Sequence, residues 1–295
     1  MFVTNDVALL TFVPITLLIF RRIELPALHI VVLETLAANL GSCITPMGNP
    51  QNLYLFSYYG FSALEFFALT AKIALPSLFI LAVIIVFLTR RKLADHGGMA
   101  EPHELSGNVL QTQVVRLKAD FRTALYFINF VICLLTVFHV VNYLIMLGIT
   151  IVVMAVCNWR LFKKVDYSLL LTFVGFFIFT KSLSKVPAFT DFVNSLLSSS
   201  LKTYLTGIAA SQIISNVPAA LLLSGFTNNG AMLLLAVNVG GLGTLIASMA
   251  SVISFKLYKS SLVEPVETTG HSYFVVFTAY NFVLLVILGI IVYFL

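Results

Sequence analysis

Long apolar runs recur down this chain, and several are broken in mid-run by proline, glycine and asparagine. A helix needs about 20 apolar residues to cross a bilayer. Residues 25–57 exceed that length but are interrupted by NLGSCITPMGNPQN, which starts at Asn39 and carries Gly41, Pro46, Gly48 and Pro50. Proline and glycine at this density end a helix, so the span is expected to unwind there. Backbone freed at membrane depth must face protein, water or a ligand, because lipid offers it no hydrogen bonds. Two further runs behave alike: 201–226 is broken by SNVP at Ser215, and 229–258 by NVGGLGT at Asn238. The run 7–20 is short of a full crossing and opens on Thr4, Asn5 and Asp6, as half a helix would. The remaining runs are 61–89, expected as an interfacial segment followed by a span, then 123–139 and 141–159 around a tight link near His139, 166–184, and an uninterrupted 272–295.

Of the 295 residues 60% are hydrophobic and 10% charged, which excludes a soluble fold and makes the lipid bilayer the chain's first partner. The expected fold class is an all-α polytopic membrane protein, with residues 1–295 as one transmembrane domain. A net charge of +5 does not point to nucleic acid, because the basic residues stand at span ends, where topology and anionic lipid account for them. If the loop 90–122 is cytoplasmic, all Lys and Arg except Lys72, Lys181, Lys185 and Lys202 fall on the inside. Cys43, Cys133 and Cys157 show no paired spacing, and the five histidines form no metal motif. No paired aspartates or Ser/His pair lies at membrane depth, so neither an enzyme nor a cofactor is expected.

The chain also repeats itself. LAANLGSCIT from Leu36 aligns without gaps to LAVNVGGLGT from Leu235, and upstream of each, VTNDVALL around Asn5 matches ISNVPAALL around Asn216. Each half thus carries a hydroxyl and an asparagine at one break, then an Asn–Gly break in the next span. The charge count sends the helix after Asn5 toward the cytoplasm and the helix after Asn216 outward, so the repeats are inverted. Inverted repeats with paired broken helices are a recurring plan of secondary transporters, with the site where the breaks meet. The expected division is 1–122 as an incomplete first repeat, including the cytoplasmic loop 90–122, and 123–295 as the second. Helix amino ends suit an anion, whereas freed carbonyls and Ser, Thr and Asn oxygens suit a small cation, which together imply coupled transport.

The segments TNDVALLTFVPI, ANLGSCITPMGNPQNLYL, SNVPAALLLSGF and NVGGLGTLIAS resemble the ion transporter superfamily. That group includes the divalent anion/sodium symporters, citrate transporters and arsenical pump membrane subunits, and the chain looks most like its small bacterial anion permeases. The resemblance implies a permease of the bacterial inner membrane that carries a small anion by symport. It implies substrate and ion binding by Thr4, Asn5, Gly41, Thr45, Gly48 and Asn49 in one half, and by Ser215, Asn216, Gly240, Gly241, Thr244 and Ser248 in the other. Asn39 and Asn238 join them as matched break positions. The tips here read Thr-Asn-Asp and Ser-Asn-Val, so Na+ at these residues and H+ on Asp6 both stand as coupling ions. Asp6 is also a good helix cap, and Glu34 lies five residues before the Asn39 break. Arsenite or oxyanion efflux is the alternative substrate reading, and a homodimer stays open. Relatives in the superfamily carry further spans ahead of the TNDVALL motif, so an amino-terminal truncation is expected here, with a non-functional remnant as its extreme form.

Overall fold

The computed structural model describes residues 4–22, 26–95, 121–165, 167–261 and 267–295. They are helical and contain no strand. The helices are α1 (Asn5–Arg22), α2 (Leu28–Ser42), α3 (Pro50–Tyr59), α4 (Ala63–Asp95), α5 (Phe121–Val137), α6 (Tyr143–Asn158), α7 (Tyr167–Leu183), α8 (Pro187–Leu196), α9 (Ser200–Ile214), α10 (Asn216–Ser224), α11 (Gly230–Val239), α12 (Met249–Ser260) and α13 (Glu267–Phe294). Among the described residues, the helical stretches 63–90, 143–164 and 273–294 are long and apolar enough to cross a membrane. The chain is an all-α, multi-pass membrane protein.

The breaks fall where proline and glycine put them. α2 ends at Ser42 and α11 at Val239, and each is followed by an extended threonine, Thr45 or Thr244, and then by a single 3₁₀ turn, Pro46–Gly48 or Leu245–Ala247. The register that pairs Leu36 with Leu235 superposes these turns residue for residue. It also pairs Asn49 with Ser248, both extended, as the residues that open α3 and α12. The hairpin tip between α9 and α10 is the single residue Ser215, held at φ 74°.

Two elements differ from expectation. Residues 61–89 do not divide into an interfacial piece and a span, because α4 runs unbroken from Ala63 to Asp95; its apolar part ends at Arg90, as expected. It has no Gly or Asn cluster to end it, and its Pro76 is carried within the helix, as membrane helices tolerate. The rest of the loop 90–122, residues 96–120, lies outside the described residues. Beyond the run 166–184 the chain forms α8, which departs from α7 at 102°; Pro187 at its first turn supplies no N–H and is suited to starting a helix.

Two compact units result, Met1–Leu78 with Asp166–Leu295, and Phe79–Val165. In the second unit, α5 and α6 are joined across Thr150 Oγ1, which donates to Asn129 Oδ1 at 3.0 Å. In the first unit α1 packs on α2 and α12, and α10 packs on α9 and α3. Since α10 corresponds to α1 and α3 to α12, each tip helix lies against the helix that follows the break of the opposite half. This crossed packing is what a two-fold relation between the halves generates.

Candidate functional site

The polar core of the first unit is built from the two breaks. Asn39, on the last turns of α2, accepts at Oδ1 from Ser248 Oγ (3.0 Å) and from Asn5 Nδ2 (3.2 Å), and donates from Nδ2 to Ser251 Oγ (3.3 Å). Asn238, its counterpart on α11, accepts at Oδ1 from Asn49 Nδ2 (3.3 Å) and donates from Nδ2 to Asn52 Oδ1 (2.7 Å) and Leu234 O (2.9 Å). Ser248 and Ser251 are the counterparts of Asn49 and Asn52. Each asparagine therefore reaches across to the same two positions of the other half, with the same donor and acceptor roles. Asn49 also donates to Ser42 Oγ (3.2 Å) and accepts from Asn52 N (3.0 Å), which caps α3.

Beside this clamp is a cavity of about 320 Å3, within the range of small-ligand sites. Asn5 and Asp6 line it from the start of α1, Pro50 and Gln51 from the start of α3, Ser215, Asn216, Val217 and Pro218 from the start of α10, and Ser248 and Met249 from the start of α12. Four helix amino ends thus converge on one space. Each carries roughly half a positive charge, so the cavity wall presents about two positive charges without any Lys or Arg among its lining residues. Phe173 and Phe176 of α7, with Ile214 and Leu221, form the apolar remainder, beside Thr172, whose hydroxyl donates to Ser168 O (2.8 Å). Asp6 is the one ionisable residue in the lining, and its Oδ1 is buried with no hydrogen-bond partner.

Of the residues expected at the site, Asn5, Asp6, Ser215, Asn216 and Ser248 line this cavity, and Asn39, Asn49 and Asn238 form the clamp. Thr4 and Thr45 contribute carbonyls, to Ala8 N (3.0 Å) and Asn52 Nδ2 (3.4 Å), and Gly41 sits on α2 with open space where a Cβ would stand. Three glycines serve close approach. A Cβ on Gly48 would lie 2.0 Å from Ser42 O, one on Gly240 would lie 2.8 Å from Ala236 O, and one on Gly241 would lie 2.8 Å from Asn216 Nδ2. Thr244 is fixed by Gln212, whose Oε1 accepts from Thr244 N (2.9 Å) and whose backbone oxygen accepts from Thr244 Oγ1 (3.1 Å).

Sequence reasoning missed Asn52, Ser251, Gln51 and Gln212. Asn52 and Ser251 were within reach of it, because the register that matches Thr45 with Thr244 matches them seven residues later. Gln212 has no such signal; it is a lone amide in the apolar run of α9, and its Nε2 donates to the Gly240 and Leu242 carbonyls (2.8 and 2.9 Å) that the break of α11 leaves free.

The profile of the citrate transporter family matches residues 1–229. An uncharacterized transporter of Methanocaldococcus jannaschii is 33% identical over 258 residues, which cover 86% of this chain and 66% of that protein. The inner membrane protein YbiR of Escherichia coli is 32% identical over 264 residues, covering 87% and 65%. A 46 kDa membrane protein of Mycobacterium leprae is 28% identical over 208 residues, covering 69% and 47%. The chain spans just under two thirds of the length of the first two relatives, and no solved structure matches it. Over most of its length, including both tips and the first break, this chain belongs to the citrate transporter family.

Proposed function

We propose that the chain forms the substrate-binding core of a secondary transporter that carries a small carboxylate anion, citrate or a shorter dicarboxylate, by symport with H+ or Na+. The observation that carries this reading is the convergence of four helix amino ends on one cavity that contains no Lys or Arg. About two positive charges of helix-end potential suit one or two carboxylates. Asp6 opposes them. An ionised carboxylate in the wall would cancel about half of that potential, so an anion enters favourably only when a proton neutralises Asp6 or a cation bridges it. Coupling then follows from the electrostatics of the wall rather than from a separate device. The inner membrane named for the Escherichia coli relative is the location this reading implies.

The test is uptake of labelled citrate and succinate into proteoliposomes under an imposed proton or Na+ gradient, with ionophores as controls. Accumulation driven by either gradient and lost on its collapse is the expected result. If no carboxylate accumulates and none raises the melting temperature, the anion reading is wrong. In Asp6→Asn, the response of uptake to the proton gradient is expected to weaken; an unchanged response assigns the proton elsewhere. Arsenite is the second reading. As neutral arsenous acid it needs no cationic residue, and its hydroxyls suit the Ser215, Asn216 and Ser248 side chains; the same vesicles test it.

A further inference from the structure

Because the two halves repeat, positions that break the repeat are informative. A position needed only for packing has no reason to be polar in one half and apolar in the other. In the register that pairs Leu36 with Leu235, Glu34 and Thr35 of α2 correspond to Leu233 and Leu234 of α11, and Ser254 of α12 corresponds to Leu55 of α3. The three leucines are fully buried. Two of the three polar residues, Thr35 and Ser254, are bonded to each other, and Glu34 stands apart from them. Thr35 Oγ1 donates to Ser254 Oγ at 2.6 Å, and Ser254 Oγ meets Tyr273 OH at 3.2 Å. Glu34 Oε1 instead accepts from Thr16 Oγ1 of α1, and Glu34 Oε2 is buried without a partner.

Nothing else nearby compensates this carboxyl. The elements packed on α2 are α1, α12, α13, α11 and the Pro46–Gly48 turn. Their described ionisable side chains are Asp6, Arg21 and Arg22 on α1, Lys256, Tyr258 and Lys259 on α12, and Tyr273, Tyr280 and Tyr293 on α13, with His29 on α2 itself. None of them bonds to Glu34. His29 is engaged instead with Tyr280 OH at 3.3 Å. A charged carboxylate with one hydrogen bond is costly inside a membrane protein. A metal cation is no remedy, since hard cations take about six oxygens and Glu34 with Thr16 offers three.

We propose that Glu34 is a proton-binding carboxyl of its own, separate from Asp6 and placed between the cavity and the Arg21–Arg22 end of α1. Thr16 stands ten residues past Asp6, about 15 Å along the helix, so Glu34 acts at a different depth from the cavity wall. Thr16 is its positioning residue. The role of this proton in the transport cycle rests on the function proposed above; its presence on Glu34 does not.

The test labels the seven glutamates with carboxyl 13C and records spectra of the chain in lipid nanodiscs near neutral pH. One resonance at the neutral-acid position is expected, absent in Glu34→Gln, and retained but displaced in Thr16→Val. All seven at the carboxylate position, a neutral resonance that survives Glu34→Gln, or one that ignores Thr16→Val would each overturn the proposal. Should Glu34→Gln fail to fold, Thr16→Val keeps the carboxyl and still decides the matter. In citrate-loaded vesicles the number of protons moved per citrate is expected to fall in Glu34→Gln, and an unchanged ratio would remove Glu34 from the cycle. Absence of any citrate movement by the unaltered chain would instead count against the transport reading and leave the resonance to stand.

Discussion

Asn39 and Asn238 occupy equivalent places in the two halves, and each bonds to the pair of residues that is the other's neighbour: Ser248 and Ser251 for Asn39, Asn49 and Asn52 for Asn238. Such reciprocity locks the two breaks to one another, so the loss of either asparagine loosens both. A side-chain hydrogen bond within a membrane protein contributes about 0.6 kcal/mol on average and up to about 1.7. With three bonds lost, Asn238→Ala is expected to destabilise by about 2 kcal/mol, and Asn39→Ala by a similar amount, as a lowered melting temperature in detergent. A double-mutant cycle of Asn238→Ala with Asn52→Ala isolates the crossed contact, and additive single effects would contradict the pairing.

The glycines of the NLGSCITPMGNPQN segment differ in what they do, and substitution separates them. Gly48 lies so close to Ser42 O that an added Cβ would meet the carbonyl, whereas Gly41 has open space around it. Gly48→Ala is expected to cost about 1–3 kcal/mol through forced backbone movement. Gly41→Ala, inside α2, is expected to stabilise by up to about 1 kcal/mol because alanine favours helix. Thermal unfolding of the two variants side by side checks the contrast.

Much of the site could be read from residue order. The breaks at Asn39, Ser215 and Asn238 follow from proline, glycine and asparagine that a continuous helix cannot hold, and the ungapped match from Leu36 to Leu235 placed the 3₁₀ turns in register. What residue order does not carry is which helix ends meet. Pro50 and Met249 share a cavity wall with Asn5 and Asn216 because α3 and α12 start there after their turns. Neither residue has a polar side chain to mark it. Phe173 and Phe176 come from an apolar run with no break at all, and only tertiary packing turns one of its faces toward the cavity.

Ser215 holds a backbone conformation that L residues avoid, with φ 74° and ψ 153°, a region that costs of order 1–3 kcal/mol. Strain of this kind at a hairpin tip persists only because α9 and α10 are anchored on both sides. Its hydroxyl returns little, donating to Ala247 O at 3.4 Å. Ser215→Gly is therefore expected to raise stability by about 1 kcal/mol and Ser215→Ala to change it little, which separates backbone strain from the hydroxyl. If both lower the melting temperature equally, the hydroxyl matters more than the strain. Comparison of the two in anion-induced thermal shifts then shows whether the hydroxyl also serves the cavity.

Gln212 determines whether the second break stays open. Where α11 stops, the carbonyls of Gly240 and Leu242 and the amide of Thr244 lose their helical partners, and the single Gln212 side chain satisfies all three. Gly243 allows the approach. It sits at φ 100°, and a Cβ there would fall 2.3 Å from Gln212 Oε1. Unsatisfied backbone groups at membrane depth cost several kcal/mol each, partly recovered by relaxation or water, so Gln212→Leu is expected to destabilise by about 3 kcal/mol. Gln212→Glu keeps the acceptor for Thr244 but sets carboxylate oxygen against two carbonyls, and is expected to fare no better. Because the amide acts on the turn that precedes Ser248, both variants should also weaken anion-induced thermal stabilisation. A Gln212→Leu protein that melts and responds to anions like the unaltered chain would mean that other groups, or water, hold the break.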